Sequence, residues 1–190
     1  AAFFLAAALM IAGSELTVRD VGVNPTRTGF LEAISEMGGR VSVENIREQC
    51  GEPVGDITAS YSALKGIELR GPIIPRVIDE LPILSVLAAV AEGQTIIADA
   101  EELRVKETDR IRAMTEGLRR MGVEVEEKPD GMVIHGRPEL RGARCSSHGD
   151  HRVAMSFIIA GLKARGDTTV EDTQCIATSF PGFMSLLESI

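Results

Sequence analysis

Eight residues, Leu103-Arg104-Val105-Lys106-Glu107-Thr108-Asp109-Arg110, set five charges and a hydroxyl ahead of the apolar series Ile111, Met114, Leu118, Met121. That series steps by three, four and three, which is helical spacing. Leu103 and Val105 read as a strand end, and Thr108 as the cap of the helix that follows. A helix start presents free backbone N–H groups and partial positive charge, and Lys106 and Arg110 add full charges, so the stretch suits a phosphate or carboxylate. Glu107, set among cations, suits proton exchange. The same residues also fit a solvated charge run before a surface helix, and the stretch alone leaves both readings open.

Two further stretches carry comparable groups. In Pro75–Pro82, Asp79 precedes an apolar helix with Pro82 in its first turn, so Asp79 is either a cap or a base. In Ser147–Arg152, Asp150 reads as an N-cap and Arg152 projects from the first helical turn. A cation there opposes the helix dipole, and a bound anion would relieve the conflict. His151 could carry a proton, although a loop histidine satisfied by its neighbours is the commoner case. Together the three stretches put Asp79, Glu107, Lys106, Arg110 and Arg152 at helix starts, two carboxylates and three cations for one shared site.

The elements that position these groups repeat. Three times an Ala-rich apolar helix ends near a glycine and gives way to a short β-branched strand: Phe3–Ala12, Gly13 and Leu16–Val18; Ile83–Ala91, Gly93 and Thr95–Ile97; Met155–Leu162, Gly166 and Thr168–Val170. Asp20, Asp99 and Asp172 close the strands, and a polar turn and second helix follow each one. The first such turn is Asn24-Pro25-Thr26-Arg27, and its helix Phe30–Met37 stops at Gly38-Gly39. In the second copy Val123–Glu126 and Met132–Ile134 form a hairpin about Pro129-Asp130-Gly131, whereas the third copy stops after starting its helix at Phe183. Gly51–Leu69 is less periodic, and Ile67–Ile74 is expected to pair as strands before a turn at Pro75. The expected fold is therefore α/β, with three units covering about 1–70, 71–140 and 141–190 in a single lobe. The first twelve residues read as a buried helix cut from its upstream sequence, and with the unfinished third copy they mark the chain as a fragment.

Composition limits the partners. The 190 residues are 44% hydrophobic and 25% charged, with net charge −8, against a general nucleic-acid or anionic-membrane binder. One Tyr, no Trp and six Phe leave little for base stacking. Cys50, Cys145 and Cys175 are widely spaced without a metal-ligand pattern, as expected of reduced thiols in a cytoplasmic protein without a metal.

Ile78-Asp79-Glu80-Leu81-Pro82, LRVKETDR over Leu103–Arg110, DHRVAM over Asp150–Met155 and Ala177-Thr178-Ser179-Phe180-Pro181 closely resemble the 5-enolpyruvylshikimate-3-phosphate synthase family, as does Asn24–Gly29. The resemblance implies one lobe of the enolpyruvyl transferase inside-out barrel, built of three βαβαββ-type units. A short N-terminal segment would complete the lobe, and a second lobe of the same parent chain would close over the substrates. It further implies a cytoplasmic, monomeric transferase of the shikimate pathway, serving aromatic amino acid biosynthesis without cofactor or metal. That enzyme moves the enolpyruvyl group of phosphoenolpyruvate to the 5-hydroxyl of shikimate 3-phosphate and releases phosphate. By the same resemblance, Asp79 is the base and a shikimate 3-phosphate contact, and Glu107 is the second acid/base. Lys106 resembles a shikimate 3-phosphate ligand, and Arg110 and Arg152 resemble phosphoenolpyruvate ligands. Thr178 stands where some members carry a lysine contact. The related UDP-N-acetylglucosamine enolpyruvyl transferases share the architecture but lack the pairing of LRVKETDR with DHRVAM.

Overall fold

Helix α1 (Ala2–Met10) has no polar side chain and is buried from Phe3 to Met10. A helix apolar on every side can exist only inside a core. The computed structural model describes residues 1–190 and builds that core from α1 and two further helices that are almost wholly buried. After α1 come β1 (Glu15–Gly22), α2 (Gly29–Glu36), β2 (Arg40–Gln49) and β3 (Glu52–Ser60). The second unit holds β4 (Glu68–Leu69), α3 (Ile74–Val77), α4 (Leu81–Val90), β5 (Gln94–Ile97), α5 (Arg110–Arg120), β6 (Glu124–Lys128) and β7 (Gly131–His135). The third holds β8 (Leu140–Arg141), β9 (Arg144–Ser146), α6 (His151–Gly161), β10 (Ala164–Arg165), β11 (Thr169–Glu171) and α7 (Phe183–Leu187).

Helices α1, α4 and α6 pack on one another at the centre. Their few hydroxyls are satisfied locally: Ser85 donates to Leu81 O and Ser156 to Arg152 O, each at 2.7 Å. That removes the cost of burying them. The outer helix α5 buries Ile111, Met114 and Leu118, the stripe its spacing predicts. Phe3 and Phe4 of α1 meet Phe180 and Phe183 at ring-centroid distances of 5.5–6.1 Å, which joins the first unit to the third. Cys145 is enclosed in the same core, where burial pushes its thiol up to about 11, so it packs as an inert apolar group.

The sheets follow one plan. In the second unit the order is β4-β5-β7-β6, with β4 parallel to β5 and both other pairs antiparallel. In the first it is β1-β3-β2, antiparallel throughout. In the third, β8 pairs with β10 and β9 with β11, both parallel, as β4 does with β5. The repeat extends to backbone conformation. Gly13, Gly93 and Gly166 have φ of 83°, 89° and 88°, and Asp20, Asp99 and Asp172 have φ of 57°, 59° and 60°. Left-handed backbone is open to glycine and, at modest cost, to Asp, so the recurring residue types follow from the turn they occupy.

Several expectations are corrected. Glu52–Ser60, within the stretch of weak periodicity, is β3, the middle strand of its sheet; its pairing with each neighbour carries a register shift, whose extra residue lies in β1 and in β2. Asp20 lies inside β1 at such a shift and does not end the strand. Of Ile67–Ile74 only Glu68 and Leu69 are strand, and Pro75 opens α3, because proline suits a first helical turn. Leu103 and Val105 belong to a 3-10 turn, Glu101–Val105, with Val105 exposed.

Candidate functional site at the starts of three helices

The starts of α4, α5 and α6 lie together. Helix α5 begins at Arg110 because Asp109 caps it, accepting from Arg112 N at 3.0 Å; the cap is Asp109 and not Thr108. Arg104 fixes that cap in turn, donating to Asp109 at 2.7 Å, to Glu127 at 3.0 Å and to Pro129 O at 2.6 Å. Helix α6 begins after Asp150, whose Oδ1 accepts from Arg152 N at 2.8 Å and Val153 N at 3.1 Å, as its N-cap reading required. Helix α4 has no side-chain cap, since Glu80 occupies that position without the bond. Asp79 therefore caps no helix, and its carboxylate faces the arginines of the other two helix starts instead.

Arg110 is the hub. Its side chain is 1% exposed and its three nitrogens face three carboxylates: Nε donates to Asp150 at 2.7 Å, Nη2 to Glu107 at 2.6 Å and Nη1 to Asp79 at 3.3 Å. A buried guanidinium requires such company, because desolvation of an unpaired charge costs several kcal/mol, roughly. Arg152 completes the network, donating to Asp79 O at 2.9 Å and lying 3.4 Å from the Asp79 carboxylate and 3.6 Å from Glu80. The unfavourable cation on the first turn of α6 is thus met by two carboxylates of this chain. Asp79 and Glu107 keep 46% and 49% of their side-chain surface exposed, so both can reach a ligand while held from behind.

Four of the five singled-out residues, Asp79, Glu107, Arg110 and Arg152, are joined in this way. Lys106 is turned to Glu102 and stays outside the network. His151 is the first residue of α6. Thr178 donates its hydroxyl to Cys175 O at 2.6 Å, a local role in its 3-10 turn.

A cleft of about 300 Å³ opens beside Asp79 and Arg152, lined also by Thr26, Arg27, Arg76 and Glu80. The turn Asn24–Arg27 reaches this cleft because Gly29 sits against α3, where a Cβ would lie 2.6 Å from Val77 Cγ1. Arg76 donates to Glu32 and to Pro25 O at 2.7 Å and locks the turn in place. Glu80 carried no sequence signal beyond its neighbour Asp79. Burial raises its carboxyl, Arg152 partly offsets that, and Asp79 adds to it. A carboxyl raised on folding destabilises the fold fully above its folded pKa and not at all below its unfolded value near 4.5. Glu80→Gln should therefore stabilise the protein at about pH 7, with the gain fading towards about pH 4. Denaturant unfolding at both pH values checks this; a gain independent of pH would contradict it.

The chain matches a family model described as EPSP synthase (3-phosphoshikimate 1-carboxyvinyltransferase) over residues 1–187. The 3-phosphoshikimate 1-carboxyvinyltransferases of Geobacter sulfurreducens and Geotalea uraniireducens are 57% and 56% identical to it over 190 residues, all of this chain and 44% of each of theirs. A solved EPSP synthase from Acinetobacter baumannii superposes with TM-score 0.96 at 43% identity, covering 99% of this chain and 44% of that one. The enolpyruvyl transferase NikO from Streptomyces tendae shares the fold, with TM-score 0.76 at 19% identity over 99% of this chain and 41% of its own. The chain thus spans less than half the length of the curated relatives it matches. A match of this extent, with both motif stretches inside it, means that the chain belongs to the EPSP synthase (3-phosphoshikimate 1-carboxyvinyltransferase) family.

Proposed function

We propose that residues 1–190 are one lobe of an enzyme that transfers the enolpyruvyl group of phosphoenolpyruvate to the 5-hydroxyl of shikimate 3-phosphate and releases phosphate. The observation that carries this reading is the single network of Asp79, Glu107, Arg110 and Arg152, drawn from three separate stretches. Forming the new C–O bond requires removal of the hydroxyl proton and protonation of the methylene carbon; the later loss of phosphate returns a proton from the methyl group. Asp79 serves as the base and as a shikimate 3-phosphate contact, and Glu107 as the second acid/base. Both are exposed enough to reach substrate and are oriented by charge-assisted hydrogen bonds. Arg110 and Arg152 hold phosphoenolpyruvate, to whose carboxylate and phosphate the guanidinium fork is matched. Lys106 binds shikimate 3-phosphate by exchanging Glu102 for the ligand.

The partner is the remainder of the parent chain. The two substrates together bring two phosphates and two carboxylates, more anionic groups than Lys106, Arg110 and Arg152 can neutralise, so further cations come from a second lobe. The third unit also exposes Leu162, Met184, Leu186 and Ile190, an apolar edge suited to a short segment from outside these residues. Phosphate release from phosphoenolpyruvate, with and without shikimate 3-phosphate, tests both points. The full-length parent should release phosphate only with both substrates, and the 190 residues alone should show negligible turnover. Robust turnover by the 190 residues would remove the need for a second lobe, and none by the parent would remove the proposed reaction.

A further inference from the structure

Asp150 has no exposed surface, yet its two oxygens serve two different elements. Oδ1 accepts from the second and third N–H groups of α6, at 2.8 Å from Arg152 N and 3.1 Å from Val153 N. Oδ2 accepts from Arg110 Nε at 2.7 Å, forty residues away in sequence on the start of α5. A cap alone needs only one oxygen, and Ser, Thr or Asn supplies it without burying a charge. The second oxygen is what requires a carboxylate here. Because it is enclosed, Asp150 can act on a ligand only through its neighbours.

Those neighbours are informative. A guanidinium is a rigid planar fork, so fixing Nε against an immobile buried partner sets where both Nη groups point. In Arg110 they point at Asp79 and Glu107, on the open side of the network. The same carboxylate fixes the first turn of α6, from which Arg152 reaches the backbone and carboxylate of Asp79. We infer that Asp150 is a positioning residue: one buried carboxylate sets the plane of Arg110 and the first turn of α6 together, so that two cations from different repeat units keep a fixed mutual geometry towards an anionic substrate group. This rests on the reading of Arg110 and Arg152 as phosphoenolpyruvate ligands.

Asp150→Asn in the full-length enzyme separates positioning from capping. Asparagine keeps an oxygen for the two N–H groups of α6 but turns an amide N–H towards Arg110 Nε, donor against donor. The KM for phosphoenolpyruvate should rise roughly 10- to 100-fold, as expected for a displaced ligand-holding group, with that for shikimate 3-phosphate much less affected. In an Arg110→Lys background, which has no Nε fork to orient, the same substitution should add little to the phosphoenolpyruvate KM. An unchanged phosphoenolpyruvate KM, an equal rise for both substrates, or full additivity with Arg110→Lys would each reduce Asp150 to a cap and overturn the inference. If Asp150→Asn does not fold, Asp150→Ser, whose hydroxyl caps α6 but is too short to hold Arg110, is read by the same outcomes. Absence of phosphate release by the wild-type parent would instead sink the underlying reading of the site.

Discussion

Asp79→Ala in the full-length enzyme is expected to lower turnover by roughly 10²- to 10⁴-fold while the protein stays folded. The folded-state half of this result follows from the geometry. Asp79 caps no helix and is 46% exposed, and ion pairs of such partly exposed groups contribute at most about 1 kcal/mol. Arg110 keeps Asp150 and Glu107 when Asp79 is removed, so no buried charge is orphaned. Loss of rate would therefore report chemistry and not collapse. Glu107→Gln should behave similarly, since the amide oxygen can still accept from Arg110 but the group no longer exchanges a proton. Steady-state phosphate release with a thermal melt on the same samples checks both variants. Near-normal rates would return the two carboxylates to a purely electrostatic role.

Gly117→Ala should destabilise the full-length protein by about 2 kcal/mol and raise the phosphoenolpyruvate KM with it. Gly117 lies within α5 where that helix crosses α6, and a Cβ there would stand 2.0 Å from Phe157 Cζ. Phe157 is fully enclosed, so its ring cannot swing aside cheaply. Alanine gains about 1 kcal/mol in helix propensity, but overpacking at this distance costs about 3 kcal/mol and wins. Relaxation by separating the two helices would also draw Arg110 away from Asp150, because those residues begin α5 and cap α6. Chemical denaturation measures the first effect and steady-state kinetics the second. An alanine variant as stable as wild type would mean that the helix crossing yields more easily than its packing implies.

The sequence made the central helices legible because their burial on all sides leaves long apolar runs, as in Phe3–Met10 and, broken only by Ser85, Ile83–Ala89. Helix α5 was legible through its amphipathic stripe, and the repeat through its glycines and aspartates, which the left-handed turns require. Local competition between turns hid the rest. Thr108 and Asp109 are both good caps, and only the three-dimensional position of Arg104 settles which one is used. Leu103 and Val105 alternate like a strand, but Ala100 N is taken by Asp130 O and Leu103 N by Ala100 O, which folds the segment into a turn. Strand β3 was obscured by Pro53 and Gly55, poor strand formers that the pairing with a neighbour on each side overrides. At the site, residue types and motif resemblance singled out the five residues, but their pairing was not legible. Nothing local predicts that Arg110 is the buried one, that Lys106 turns to Glu102, or that Glu80 shares Arg152 with Asp79.

The buried guanidinium has one more consequence, concerning the order of events. All three nitrogens of Arg110 already face carboxylates, so on the proposed reading an incoming anion competes with those carboxylates for the same fork. Asp150 is enclosed and cannot leave, whereas Glu107 and Asp79 border solvent. On that reading, an anion that takes a place on the fork loosens Glu107 or Asp79 from its counter-ion, whereas Asp150 stays put. Under the proposed function, anion binding at the fork and release of a carboxylate are then one ligand exchange, and the cost of breaking the internal ion pair is subtracted from the anion's affinity.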